Sequence, residues 1–527
     1  MVLEKLVLEK STARFFAEHK SEAGHSQRSL RGGAVAISAR VINALIQIGS
    51  VLFLARLLSP EDYGLVAMVA AITGFAPLVV CLGTRDAVAQ WPRITEKDVS
   101  AVFWITMAVG CALAAIGVGC APLIARLYHE PRLVPITIAL SLTFVVSALA
   151  CQHSALLRRS MEFRKLSIIE ITANLLSAGG AIGLALFGFH YWALVLRPFA
   201  MQSFTALGVW LECRWVPSRP ALTPASKEML KFGLNSTGFT ATDFTSRSCD
   251  RVLIGYRSGA RSLGFYQNAM FVYDSLTDIL VLSTFGVAVP AFSKVRDDPP
   301  ELRRLWRKAL STMAFFAMPA FGVLAVTATD LIPFLLGKKW ASAGVLLSIL
   351  AIRGIPQSVE RTLGWLHVTA GRTDRWMRWG IFGMCAHLIA LFIGLPFGPR
   401  GVVIAYVILM FLLFVPAVSY AGKPLGIGAG DVIKAVWRQM AGSLIAVAAG
   451  FLLRWTIFAG ASVIAMSAGL GTAYLAIYCA VVVGVFRLQM PLGVVLLLVR
   501  DFLPPRLARA GGYETVSVMA GALCSHD

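Results

Sequence analysis

Six arginines, Arg40, Arg197, Arg247, Arg251, Arg353 and Arg361, sit inside long apolar runs rather than at their ends. A guanidinium is always charged, and its planar fork of donors matches two oxygens of a phosphate. At the centre of a bilayer such a group costs roughly 2.5–3.5 kcal/mol, so these arginines are expected to face a polar interior and hold an anion there. Arg40 heads a polar stripe with Asn43, Gln47 and Ser50, at spacings of 3, 4 and 3 that keep to one helical face. No acidic residue lies within a turn to neutralise Arg40. The competing reading gives it a packing or insertion role, its long side chain snorkelling to the nearby helix end. Arg197 precedes Pro198, and the proline frees a backbone carbonyl and can kink its helix.

Asp243, Arg247, Asp250 and Arg251 carry opposite charges three and four residues apart, a spacing that forms ion pairs within one helix. Either they neutralise one another, or an arginine exchanges an aspartate for an anionic ligand, with Asp243 or Asp250 as a cation or proton site. Asp274, Asp278 and Glu170 are further intramembrane carboxylates that could couple to an ion. Arg353, Gln357, Glu360 and Arg361 share a helical face, as a structural pair with one free arginine or as a binding surface. The loop clusters Arg158, Arg159, Arg164, Lys165 and Arg303, Arg304, Arg307, Lys308 read most simply as orientation signals for anionic lipid. Nine scattered cysteines lack a Cys-x-x-Cys pair and eight histidines are isolated, so neither a disulfide framework, a metal site nor a cofactor is expected. No phosphate-binding glycine loop or His/carboxylate cluster suggests catalysis.

The elements that position these side chains follow from composition. Hydrophobic residues make up 57% of the 527 positions and charged residues 14%, with a mean hydropathy of +0.72. A soluble domain carries roughly 25% charge. Apolar runs of about 20 residues recur, the length a helix needs to cross a bilayer. Windows near 34–54, 63–83, 100–125, 133–152, 167–187, 191–211, 232–256, 262–293, 309–332, 341–370, 379–397, 401–421, 439–453 and 462–484 predict an all-α integral membrane protein of 12–14 transmembrane helices. The stretch 433–486 could hide a re-entrant segment, and 491–503 could lie along the interface. Of 48 Lys and Arg, 33 fall in segments that are cytoplasmic if the N-terminus is inside and nine in the opposite turns, which predicts both termini in the cytoplasm. That placement accounts for the net charge of +20 without nucleic acid. The polar first 33 residues lack the core of a cleavable signal, so the first helix is expected to be an uncleaved anchor. No loop exceeds about 30 residues, too short for a soluble catalytic domain.

The two halves echo each other. Arg31-Gly32-Gly33 opens the first helix and Lys231-Phe232-Gly233 the seventh, while Asp62-Tyr63-Gly64 matches Ser262-Leu263-Gly264 at the next turn. On that offset of 200, the stripe Arg40, Asn43, Gln47, Ser50 falls on Thr240, Asp243, Arg247, Asp250. Two six-helix lobes in parallel repeat are expected around a central cavity, 34–215 and 216–425. Additional helices then occupy 426–490, between cytoplasmic tails at 1–33 and 491–527.

The segment 55–64, Ala-Arg-Leu-Leu-Ser-Pro-Glu-Asp-Tyr-Gly, resembles the turn after the first helix in polysaccharide repeat-unit flippases of the multidrug/oligosaccharidyl-lipid/polysaccharide superfamily. Residues 156–166, 250–255, 263–266 and 335–340 are similar to that family too, and the likeness spans roughly 30 to 420. The resemblance implies alternating access between two lobes in a bacterial cytoplasmic membrane. Its implied substrate is an oligosaccharide on undecaprenyl pyrophosphate, bound for lipopolysaccharide, capsule or exopolysaccharide. Membrane lipids and a polysaccharide polymerase or export machinery are the implied partners, and a transporter rather than an enzyme is implied. A drug or cation exporter of the same fold, a peptidoglycan-precursor flippase and a polytopic polymerase are the alternatives. A pyrophosphate crossing hydrocarbon needs buried cations, and Arg40, Asn43, Gln47, Arg197, Arg247, Arg251, Arg353 and Arg361 are the expected cavity residues.

Overall fold

The computed structural model describes residues 25–488 except 82, 92, 222, 296–297 and 458–462. Of the expected tails, 491–527 and residues 1–24 of 1–33 lie outside the described residues, and 25–33 belong to the first helix. Helices make up the fold, and no strand occurs among the described residues. Among the described residues, ten segments are long and apolar enough to cross a membrane. One of them, Asp374–Leu425, holds two helices, Thr373–Gly394 and Gly398–Gly422. Large apolar side chains such as Leu123, Leu186, Phe187, Leu211 and Leu412 are exposed on the outer faces, as lipid contact requires.

The chain divides between Gln267 and Asn268 into two compact units, each described by itself. The first opens with α1 (His25–Leu57). The expected window 63–83 is broken into two pieces, α2 (Pro60–Thr73) and α3 (Ala76–Val80), and α4 (Thr84–Gln90) follows it. Local chemistry sets those limits. Ser59 caps α2 reciprocally with Asp62: the Asp62 N–H donates to Ser59 Oγ at 3.2 Å, and the Ser59 N–H to Asp62 Oδ2 at 2.8 Å. Pro60 takes the first helical position, where its missing N–H costs nothing. Gly83, at φ 60°, supplies the left-handed residue that starts α4.

Next come α5 (Glu96–Tyr128), α6 (Leu133–Arg159), α7 (Phe163–Leu186) and α8 (Trp192–Cys213). Between α5 and α6, Arg132 bonds Glu130 at 2.8 Å and Glu61 at 2.6 Å, and its guanidinium holds the Glu130 carboxyl below the usual carboxylate range. α9 (Pro224–Lys294) kinks at Gly259, whose φ of 77° and ψ of 174° no helix contains. The core at one end of this unit packs Val99, Val102, Phe103, Leu156, Val209 and Trp215 around His153, which stacks on Trp210 with ring centroids 4.1 Å apart.

Two expectations change here. Arg159, read as part of a loop cluster, is buried, and its Nη1 donates to the carbonyls of Val88 and Trp91. It closes the C-terminal end of α4, where a cation suits the unpaired carbonyls. Cys81 and Cys151, read as unpaired, form a disulfide between the segment after α3 and α6, with Cα atoms 6.1 Å apart. Seventy residues separate them, and no local spacing pattern marks such a contact.

The second unit contains α10 (Pro299–Leu336), α11 (Ala341–Glu360), α12 (Leu363–Thr369), α13 (Thr373–Gly394), α14 (Gly398–Gly422), α15 (Ala429–Thr456) and α16 (Val463–Cys479). α15 runs parallel to α10 in a steady register. Gln439 Nε2 donates to Ser311 Oγ at 2.8 Å, Ser443 Oγ to the Met318 carbonyl at 3.3 Å, and Arg454 Nη2 to Asp330 Oδ1 at 2.8 Å. Arg303 and Arg307 approach Asp431 at the other end, so charge complementarity clamps both ends. α16 seals the groove: Tyr474 fits against Gly322, where a Cβ would stand 1.9 Å from its hydroxyl, and Phe315, Val326 and Tyr478 pack behind it. The Arg454 and Asp330 side chains are only 24% and 13% exposed. Asp330→Asn is expected to lower stability by about 1–3 kcal/mol, the cost of a partly buried cation that loses its partner. The same change in an Arg454→Leu background should cost much less, and thermal unfolding of the four proteins in detergent measures the coupling.

Candidate functional site

A cavity of about 330 Å³ opens within the first unit. Four stretches of chain line it, two of them through spacing legible as a helical face. α1 contributes Gln47. α2 contributes Tyr63, Val66, Ala67, Ala70 and Ala71, at i, i+3, i+4, i+7 and i+8. α8 contributes Leu194, Arg197, Pro198 and Met201, again one face. α9 contributes Arg251 and Gln267, from either side of the Gly259 kink. The alanines of α2 leave the volume open. Pro198 has no N–H, so the Leu194 carbonyl lacks its helical donor beside the cavity.

The wall is apolar and the polar groups are few. Among the described residues that line the cavity, two are cationic and none is a carboxylate. Arg197 Nη2 donates to Gln47 Oε1 at 3.0 Å, and Ser50 Oγ holds that turn of α1 by donating to the Gln47 carbonyl at 2.8 Å. Tyr63 lies within electrostatic reach of Arg197. Arg251 Nε is enclosed and has no hydrogen-bond partner, as is Gln267 Oε1. Next to Arg251, buried Asp250 accepts the Tyr266 hydroxyl on Oδ2 at 2.5 Å and the Arg251 backbone N–H on Oδ1 at 2.7 Å. Two guanidinium groups in a low-dielectric wall attract an anion far more strongly than they would in water. The donor set suits phosphate oxygens.

The cavity brings together Gln47, Arg197 and Arg251 of the expected set. Asn43 lies one turn from Gln47 and accepts Asn174 Nδ2 at 3.0 Å, a link between α1 and α7. Arg40 is exposed, two turns before Gln47 on the same face. Asp243 and Arg247 lie outside the residues whose side chains are described. Glu170 is within electrostatic reach of Arg85. In the second unit, Arg353 lies over the rings of Tyr273 and Tyr406, 6.0 and 5.6 Å from their centroids. Gln357 accepts the Tyr273 hydroxyl, and Arg361, Asp274 and Glu360 lie within electrostatic reach of that tyrosine. Asp278 is exposed.

Sequence reasoning missed Tyr63 and Gln267 as lining residues. Tyr63 heads the face continued by 66, 67, 70 and 71, a period that was available. Gln267 is a lone amide after Leu-Gly-Phe-Tyr, and nothing in its spacing marks it.

Comparison with known proteins adds the following. Residues 53–344 match the model of a family described as polysaccharide biosynthesis protein. The lipopolysaccharide biosynthesis protein WzxC of Escherichia coli (strain K12) is 23% identical over 422 residues, covering 78% of this chain and 84% of that one. The teichuronic acid biosynthesis protein TuaB of Bacillus subtilis (strain 168) is 26% identical over 332 residues, covering 62% and 68%. Among solved structures, the lipid II flippase MurJ in an inward closed conformation superimposes with a TM-score of 0.66, over 87% of this chain and 99% of that one. At 15% identity that last likeness speaks for the fold.

Proposed function

The chain belongs to the polysaccharide biosynthesis protein family, and from that premise we propose that it flips oligosaccharide repeat units linked to undecaprenyl pyrophosphate across the bacterial cytoplasmic membrane. The units would serve lipopolysaccharide, capsule or exopolysaccharide. One observation carries the reading to this chain's residues: a cavity whose described lining holds two arginines and no carboxylate. Such a lining repels the organic cations that a drug exporter handles and favours a phosphate-bearing head group. The polyprenyl tail stays in lipid throughout, so the protein needs to shield only the charged head and its hydroxyls.

In this reading Arg197 and Arg251 take the pyrophosphate, and Gln47 presents Arg197. Arg40, two turns away on the face of Gln47, meets the anion before it reaches the cavity. Arg247, Arg353 and Arg361 complete the cationic path. Asp243, Asp250, Asp274, Asp278 and Glu170 are the carboxylates through which an ion could drive the cycle. Two six-helix lobes, 34–215 and 216–425, alternate access around the path, with both termini cytoplasmic. A polymerase or export machinery receives the unit on the far side.

Deleting the gene is expected to abolish surface polymer and to leave lipid-linked repeat units on the cytoplasmic face. Complementation with the wild-type gene restores the polymer, and a well-expressed Arg40→Ala fails to. Polymer that survives deletion without accumulation of the intermediate would refute the flippase reading for that polymer.

A further inference from the structure

Two atoms in the cavity wall have their hydrogen-bonding capacity unmet. Arg251 Nε is a donor with no partner, and Gln267 Oε1 is an acceptor with no partner, both enclosed. Leaving a buried donor or acceptor unpaired is costly, and folded proteins keep few such groups. Gln47 shows the contrast. It lines the same cavity, and its Oε1 is taken by Arg197 at 3.0 Å. What the cavity still lacks is therefore specific: one acceptor for Arg251 and one donor for Gln267.

A fully deprotonated phosphate or pyrophosphate fills only half of that need. Its oxygens accept from Arg251 but set lone pairs against the lone pairs of Gln267 Oε1. A complementary ligand places a hydroxyl or amide N–H beside its phosphate, within about 330 Å³. That volume is at the small end for ligand pockets and holds a phosphate with one small polar group, not an oligosaccharide.

We propose that Gln267 is a specificity residue, selecting phosphate esters that carry a hydrogen-bond donor next to the phosphate held by Arg251. The proposal rests on the flippase reading for the phosphate and adds to it a demand on the neighbouring group. Gln267 reads the donor while Arg251 reads the charge. A phosphate ester without an adjacent donor is bound by the arginines alone and leaves the Gln267 acceptor buried and unmet.

Two soluble monoesters of equal charge and similar size test this on the purified full-length protein in nanodiscs, at a pH that keeps both phosphates fully deprotonated: glycerol 1-phosphate, which carries a hydroxyl donor, and n-propyl phosphate, which then carries none. Titration calorimetry is expected to find the glycerol ester bound about tenfold more tightly, the ratio that one satisfied buried acceptor supplies. In Gln267→Leu the two esters should bind within about twofold of each other, because the acceptor is gone. Gln267→Glu keeps an acceptor, so the preference should persist while the added negative charge weakens both esters. Arg251→Gln should weaken both esters and leave their ratio in place. Equal binding of the two esters by the wild-type protein, or a preference that survives Gln267→Leu, overturns the role of Gln267 while leaving the phosphate reading standing. Failure of both esters to bind removes the phosphate reading of the cavity, and this proposal with it.

Discussion

Arg251→Gln is expected to slow delivery of lipid-linked units to the outer face by about 10- to 100-fold, the largest effect of any single change in the cavity. A hydrogen bond between a charged donor and an anionic oxygen contributes about 1.5–3 kcal/mol, and each 1.4 kcal/mol is a factor of ten. Arg251 should lie toward the upper part of that range because its Nε has no hydrogen-bond partner to give up. Arg197 already gives one Nη to Gln47, so Arg197→Gln should cost less, nearer tenfold. Arg251→Lys keeps the charge but loses the fork, and should recover only part of the rate. The measurement is accumulation of the lipid-linked intermediate in a deletion strain complemented with each variant at matched protein level. A normal rate for Arg251→Gln would detach the cavity from transport.

Much of this site was legible as residue types and little of it as neighbours. Arginine is costly in hydrocarbon, so its presence in an apolar run already signals a polar surrounding, and Arg197 and Arg251 could be singled out on that ground. Helical spacing placed Gln47 on the face of Arg40. Which of the six arginines share a cavity depends on how α1, α2, α8 and α9 pack, and a sequence period carries nothing about that. Arg353 shows the consequence: it lies over Tyr273 and Tyr406, two aromatic faces brought in from elements far apart in the chain. Asp250 shows another. Charge spacing pointed to Arg247, three residues away on its own helix, and nothing in that spacing marked Tyr266, across the Gly259 kink, which donates to it.

The fold divides the same way. The apolar windows located the helices because about 20 residues must be apolar to cross a bilayer, whatever they pack against. They did not show that 63–83 breaks at Gly74 and ends before Gly83, since the break depends on turn chemistry inside an apolar run. Nor could they show Arg159 turning inward to the end of α4, because a cation at a helix end reads alike whether it meets lipid or carbonyls.

The second large effect is expected at a pair of glycines. A Cβ on Gly64 would stand 1.7 Å from the carbonyl oxygen of Ala260, and one on Gly264 would stand 1.8 Å from the carbonyl oxygen of Pro60. Both obstacles are backbone, so neither can swing aside, and the first turns of α2 must separate from the start of the second half of α9. Gly64→Ala and Gly264→Ala are each expected to destabilise the protein by about 3 kcal/mol or more, at or above the upper end for overpacking. The four positions fall into two pairs on the offset of 200, Gly64 with Gly264 and Pro60 with Ala260, so the contact is reciprocal. That reciprocity follows the offset of 200 on which the internal repeat is expected. It also makes the expectation sharper than a simple loss of fit, because the two variants should be destabilised by similar amounts. Gly179→Ala, in α7 with nothing within 4 Å of the added methyl, should be neutral or slightly stabilising, since alanine is the better helix former. Thermal unfolding of the three detergent-solubilised variants decides the matter. If Gly64→Ala melts with the wild type while Gly264→Ala does not, the two turns are not equivalent and the contact does not support the repeat.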